Sequence, residues 1–364
     1  MPIGQKRFIF LVQGEGRGHM TQAIGLYQML TSAGHEVVHV FIGKSSRRIV
    51  PSYFFRAFNS KVELLESPNF ISDPENKSIR LMASIFYNLK FLNHYRKSLV
   101  KIHAAVTSSH ADGIINFYDF LGGLYNFFFR HQAKFFAIGH QFLTDHPDFP
   151  FAVGKPLDKQ LFLSNNRLNS LGAFKKIALS FRPYQPDRIG RTVVTPPILR
   201  KEIFNQRPAP GDFLLGYMVN DGYSREIFDW HQEHPDVPIH CFWDKKGEPE
   251  VKIIDKTLTF HQLNAEKFLG YMAGCKGLMT TAGFESICEA MLLGKPVLMV
   301  PVSGQYEQAC NALDASKSGA GIHDEFFNIS RFLDYLPGHR NTRTDTGRWI
   351  SKSDEMILKE LTDF

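Results

Sequence analysis

The first 240 residues contain no cysteine, and the four that follow, Cys241, Cys275, Cys288 and Cys310, form no C-x-x-C pair. That spacing excludes a disulfide framework and a thiolate metal cluster, and it indicates a reduced, cytoplasmic protein. No uncharged apolar run reaches the ~18 residues that a bilayer-spanning helix needs. The apolar run Phe8–Val12 is too short for a signal-peptide core and has no small-residue cleavage site behind it. Charge of one sign is also scarce. A net +6 over 364 residues is too weak to indicate nucleic acid, although it suits a small anionic ligand or an acidic membrane surface.

Apolar residues are plentiful, at 43%, and 33 of them are phenylalanine. At about 100–200 residues per domain, the length predicts two domains. Strand-like apolar runs alternate with helical periodicity. Strands are expected at 7–13, 36–43, 61–67, 112–118 and 134–140, with helices at 19–33, about 78–108 and 121–132. Short strands at 176–181 and 191–199 lie among prolines, and the 205–212 segment has the composition of a linker. The alternation then restarts, with strands at 213–219, 238–243, 256–261, 276–281 and 295–301 and helices at 223–234, 264–273, 283–294 and 305–318. A helical tail covers 344–362. The expected fold is therefore α/β, with two doubly wound Rossmann-like domains facing across a cleft. The divisions are 1–204, 205–343 and a C-terminal helix, 344–364, which returns to the first domain.

Two segments carry chemistry. The first is GEGRGHMTQA, residues 14–23, between the first strand and the first helix. Gly16 and Gly18 keep the turn thin, and His19 stands where a nucleotide-binding loop would place a third glycine. The second is TTAGFESICEAMLLGKPVLMVPVSGQYEQACNA, residues 280–312. There a buried strand ending at Thr281 meets Gly283 and a helix start, whose free N–H groups and dipole favour an anion. Ser286 can offer a hydroxyl to phosphate. Glu289, one turn on and on the same face, suits a pair of vicinal ribose hydroxyls, or it is an ordinary surface carboxylate. Glu307 and Gln308 open the next helix at the same sheet edge and suit sugar hydroxyls.

On these residues the sequence resembles the GT-B glycosyltransferases, among them the UDP-glycosyltransferases and the peptidoglycan N-acetylglucosaminyltransferase. Gly283, Ser286, Glu289, Gly294, Pro296, Pro301, Gln308, Asn311 and Ala312 match their C-terminal signature, and Gly18-His19 the N-terminal G-H-x-x-P. This chain departs from the pattern at Gln22, in place of the proline, at Thr281, in place of a histidine, and at Glu285, in place of an asparagine. A carboxylate is unfavourable beside a diphosphate, so Glu285 is expected to point away.

The resemblance implies transfer of a sugar from a nucleoside-diphosphate donor, UDP above all, to an acceptor hydroxyl, with inversion. It makes His19 the general base, kept neutral at its helix start. It also implies an aspartate orienting that base. Asp119, after the strand 112–118, is either that aspartate or the cap of the helix that follows. His140 and Gln141, at the end of the next strand, line the acceptor side or form a polar turn. Phe260 stacks on the base or belongs to the core. No D-x-D triplet occurs, so no metal and no cofactor beyond the nucleotide sugar are expected. The basic, aromatic stretches 80–103 and 45–58 would suit peripheral contact with the inner face of a membrane and a lipid-linked acceptor, or they are a helix burying one stripe. Three rival readings remain: an NAD-dependent oxidoreductase, a sugar-nucleotide 2-epimerase and a nucleotide-sugar-binding protein without turnover. The first is weakened because the second strand ends Gly43-Lys44, with no carboxylate for an adenosine ribose.

Overall fold

The apolar runs become the inner strands of two sheets. In the computed structural model, which describes residues 4–44, 49–68, 86–154, 156–218 and 221–364, the first sheet comprises β1 (Arg7–Val12), β2 (Glu36–Lys44), β3 (Lys61–Glu66), β4 (Gly113–Phe117), β5 (Lys134–Gly139), β6 (Lys175–Leu179), β7 (Arg188–Ile189) and β8 (Thr192–Thr195). Their order is β3-β2-β1-β4-β5-β6-β8-β7, parallel except for the β7 edge. The second sheet holds β9 (Leu214–Met218), β10 (Ile239–Trp243), β11 (Val251–Ile253), β12 (Leu258–Gln262), β13 (Gly277–Thr281), β14 (Val297–Val300) and β15 (Gly321–His323). It is ordered β11-β12-β10-β9-β13-β14-β15, with only β11 antiparallel. Strands such as β4, β13 and β14 are buried along their whole length, because helices cover both faces of a parallel sheet.

Each sheet runs outward in both directions from one central strand pair, β1/β4 in the first and β9/β13 in the second. In open α/β sheets, ligands bind beyond the strand C-termini at such switch points. The helices leaving these ends are Arg17–Ser32 after β1 and Phe284–Leu292 after β13, and they pack against each other. Sheet order puts each glycine-bearing turn at a strand C-terminal edge, and the packing of these two helices brings the turns together.

The segment 78–85 of the expected long helix, 45–48 of the basic stretch and Val219 lie outside the described residues. The helix before β4 is Leu92–Ser109, and it ends at His110 in the left-handed conformation (φ 49°). The helix expected over 121–132 stops at Phe128. The tail divides into Arg343–Ile350 and Ser353–Thr362. It lies on the first sheet: Trp349 donates to the carbonyl of Ser180 at 3.1 Å, and Glu360 pairs with Lys175 and Arg188 at 2.9 and 2.6 Å.

Candidate active site

The turn after β1 is built from the inside out. Gly14 has to be a glycine because a Cβ there would lie 1.6 Å from the carbonyl oxygen of Gly43. At Gly16 a Cβ would come within 2.8 Å of the His19 ring, and at Gly18 within 3.2 Å of Glu285 Cγ in the other half. Gly16 caps the helix Arg17–Ser32 without a side-chain acceptor. The third helical residue is His19, 8% exposed, its ring stacked on Tyr118 at 5.5 Å. Its Nδ1 faces Gln22 Oε1 at 3.4 Å, and its Nε2 faces the Gln141 amide nitrogen at 3.4 Å. Burial pushes this imidazole down to about 4, so it is neutral at physiological pH. Desolvation is the dominant cause of that neutrality.

Of the two readings of Asp119, the structure forms the helix cap. Its carboxylate accepts from Leu121 N–H at 2.9 Å and from the Ser67 hydroxyl at 3.0 Å. The pairing with His19 that the resemblance implied is not made. The imidazole stacks on the ring of Tyr118 (φ 59°), and Asp119 caps the helix Phe120–Phe128. Burial raises the Asp119 carboxyl to about 6.

The turn after β13 behaves differently. A Cβ on Gly283 would meet only Thr281 O, at 3.8 Å, so the space in front of it is open, and no side chain caps the helix Phe284–Leu292. Helix-start N–H groups without a side-chain cap favour an anion. Ser286 leans back to the carbonyl of Gly283 at 3.5 Å. Glu289 is held by both arms of the Arg200 guanidinium, at 2.7 and 3.1 Å. It is therefore a buried, ion-paired group and not a surface carboxylate. Glu285 does not point away: it is 7% exposed and faces the first half, taking a hydrogen bond from Gln22 at 2.7 Å. Burial drives its carboxyl well above the usual range. Gln308 uses its Oε1 to accept from Val302 N–H at 2.8 Å, and Glu307 accepts from Gln141 at 2.8 Å. Burial raises Glu307 to about 7. His140 is stacked on Phe284 at 4.3 Å, with Nδ1 2.7 Å from Leu179 O and Nε2 facing Asp314 at 3.8 Å. Phe260 is a core residue stacked on Trp243.

One cavity of about 620 Å³ is lined by both halves: Gly16, Gly18, His19, His140 and Gln141 from the first, Thr281, Gly283, Ser286, Glu289, Glu307 and Gln308 from the second. That volume suits a small-molecule ligand. Asp119 is not among its lining residues. Arg17 and Arg200 line it as well, and sequence reasoning missed both. Arg17 stands inside the quoted glycine turn, where its charge was a usable signal. Arg200 follows an apolar run and carries no local signal, its partner Glu289 lying 89 residues away. Arg17 reaches across to Asp244 at 2.6 Å. Among the described residues, no group of three or more His, Cys, Asp or Glu is placed to hold a metal ion, and no helix is long and apolar enough to cross a membrane.

Two sheets of Rossmann order, joined at one cavity with a glycine turn from each, are the GT-B architecture of glycosyltransferases that use nucleotide-sugar donors. The chain belongs to glycosyl transferase family 1, which matches residues 6–337. The fold is similar over its full length to solved structures. A UDP-glucosyltransferase from Polygonum tinctorium capable of glucosylating indoxyl, in complex with 3,4-dichloroaniline, superposes with a TM-score of 0.64 at 13% identity, covering 99% of each chain. UGT89C1 of Arabidopsis thaliana complexed with quercetin gives 0.64 at 13% identity, covering 99% of each chain. Its complex with UDP-L-rhamnose gives 0.62 at 12% identity, covering 98% of this chain and 96% of that one. No curated protein matches the chain in sequence.

Proposed function

We propose that this glycosyltransferase takes its sugar from a UDP donor and passes it, with inversion and without a metal ion, to an acceptor hydroxyl deprotonated by His19. The observation that carries this reading is that the His19 ring and the open start of the helix Phe284–Leu292 line the same cavity from opposite halves. The diphosphate lies at Gly283, where helix N–H groups and the Ser286 hydroxyl meet its charge. Glu289 takes the ribose hydroxyls. Arg200 holds its carboxylate plane, and each oxygen keeps a lone pair for a hydroxyl. Glu307 and the amide NH2 of Gln308 face the sugar, while Thr281, Gly16 and Gly18 shape the wall. His140 and Gln141 bound the acceptor side. That solved structures of a similar fold are complexes with UDP-L-rhamnose in one case and quercetin in another supports a UDP-sugar donor and a small hydroxylated acceptor.

In the step itself, the acceptor oxygen bonds to the anomeric carbon as the bond from that carbon to the diphosphate oxygen breaks. The hydroxyl proton goes to His19 Nε2, where the acceptor replaces the long contact with Gln141. The negative charge of the donor favours the imidazolium that forms. A base so placed contributes about 10²–10⁴ in rate.

We assign residues 1–204 to the acceptor half and 205–343 to the donor half, with 344–364 returning to the first. The contacts of Trp349 and Glu360 with Ser180, Lys175 and Arg188 support the last assignment. Exposed Phe86, Leu89, Leu92 and Val100, beside exposed Lys90, Arg96 and Lys97, support a peripheral membrane contact at a lipid-linked acceptor. Sedimentation with anionic against neutral vesicles tests that contact.

Calorimetric titration with UDP, GDP, dTDP and UDP-sugars, with and without EDTA, tests the main reading. UDP should bind best and EDTA should leave its affinity unchanged. Binding of NADH without binding of UDP would overturn the assignment.

A further inference from the structure

The two departures from the family signature that flank the active-site turns, Gln22 and Glu285, are bonded to each other. Gln22 is 3% exposed and Glu285 7%, they are 263 residues apart in the chain, and Gln22 Nε2 donates to Glu285 Oε1 at 2.7 Å. An amide has one donating and one accepting end. With its NH2 end fixed on the carboxyl oxygen, Gln22 turns its Oε1 to His19 Nδ1. An oxygen facing that ring nitrogen at 3.4 Å favours the hydrogen on it. A neutral imidazole holds one such hydrogen, so Nε2 is left with its lone pair.

The other side of the ring agrees. Gln141 turns its NH2 end to Glu307 Oε1 at 2.8 Å, and the same nitrogen faces His19 Nε2. Its own Oε1 has no hydrogen-bond partner. An amide nitrogen facing Nε2 favours a lone pair there. Each ring nitrogen thus meets a glutamine from the first half, and each glutamine is oriented by a glutamate from the second half.

We propose that Gln22 and Glu285 are positioning residues that fix His19 as the Nδ1–H tautomer, with Nε2 free to accept a proton, and that they do so only while the two halves are closed on each other. In this chain they take the orienting task that Asp119, committed to Ser67 and Leu121, does not perform. The proposal rests on the reading of His19 as the base, but its tautomer arm is independent of turnover.

The test is nitrogen NMR of the full-length protein carrying 15N-labelled histidine, reading the two ring nitrogens of His19 at neutral pH. The wild type should show a protonated Nδ1 and a bare Nε2. Glu285→Leu frees the Gln22 amide to turn and should give a mixture of tautomers, with kcat lowered about ten- to a hundredfold and KM for the nucleotide sugar little changed. Glu285→Gln keeps an acceptor oxygen at the same place, so it should restore the Nδ1–H signature and most of the lost kcat. A wild-type ring protonated at Nε2, or a Glu285→Leu protein with an unchanged tautomer, would overturn the proposal. If Glu285→Leu does not fold, Gln22→Leu carries the same expectation. Full turnover in His19→Ala would instead overturn the base assignment and leave the tautomer result standing.

Discussion

Replacing His19 by glutamine should change how the stability of the protein depends on pH. The unfolded imidazole titrates near 6.5 and the buried one near 4. Its folded value is depressed, so between these limits the unfolded chain binds more protons. The stability linked to this group is present above about 6.5 and is lost as pH falls toward 4. At pH 4.5 the two-state linkage expression gives a loss of about 2–3 kcal/mol from this ring, and at pH 7 almost none. Asp119, raised to about 6, and Glu307, raised to about 7, have the opposite sign. Their contribution is present at low pH and is lost as pH rises through those values. Both groups remain in the variant, so they cancel in a difference. Urea unfolding of wild type and His19→Gln at pH 7 and pH 4.5 reads that difference directly. The wild type should lose about 2 kcal/mol more than the variant on acidification. Equal losses would refute the claim that the imidazole is held neutral by burial.

Three further outcomes are expected. Glu289→Ala should weaken UDP binding at least tenfold by calorimetry. Because it strands the Arg200 guanidinium without its carboxylate, it should also lower unfolding stability by about 3–5 kcal/mol. Asp119→Ala should cost about 1 kcal/mol in urea unfolding, as the loss of a helix cap, and leave kcat within a few-fold of wild type. A hundredfold loss of kcat there would restore the aspartate to the base. Gly18→Ala, whose methyl would stand 3.2 Å from Glu285 Cγ, should raise the KM for the nucleotide sugar in steady-state assays by pushing the two halves apart.

The inner strands and the two glycine turns were legible because their signals are local. A strand buried on both faces is a continuous apolar run, as in Phe8–Val12 and Val297–Val300. What escaped was what local patterning does not encode. The helix Pro156–Asn169 buries only Phe162, Asn166 and Asn169, so no apolar stripe announces it. Short edge strands such as β7 and β11 have two and three residues, too few for a period to show. The 3-10 turn His140–Asp145 was hidden in a polar stretch that read as an exit from β5. At the site, the residue types were readable but their partners were not. Arg200 with Glu289, Gln22 with Glu285 and Gln141 with Glu307 all join opposite halves, and no spacing rule links residues so far apart in the chain. Asp119 was readable either way, and what no local signal revealed is that its carboxylate accepts from both Leu121 N–H and the Ser67 hydroxyl.

The most direct test of the division of labour across the cavity is a pair of measurements on His19→Ala, namely turnover of a UDP-sugar with a hydroxylated acceptor and affinity for UDP. Turnover should fall at least a hundredfold while UDP binds almost as in the wild type, because the imidazole meets the acceptor and the opposite half holds the nucleotide. Parallel loss of both, or turnover that survives intact, would contradict the account.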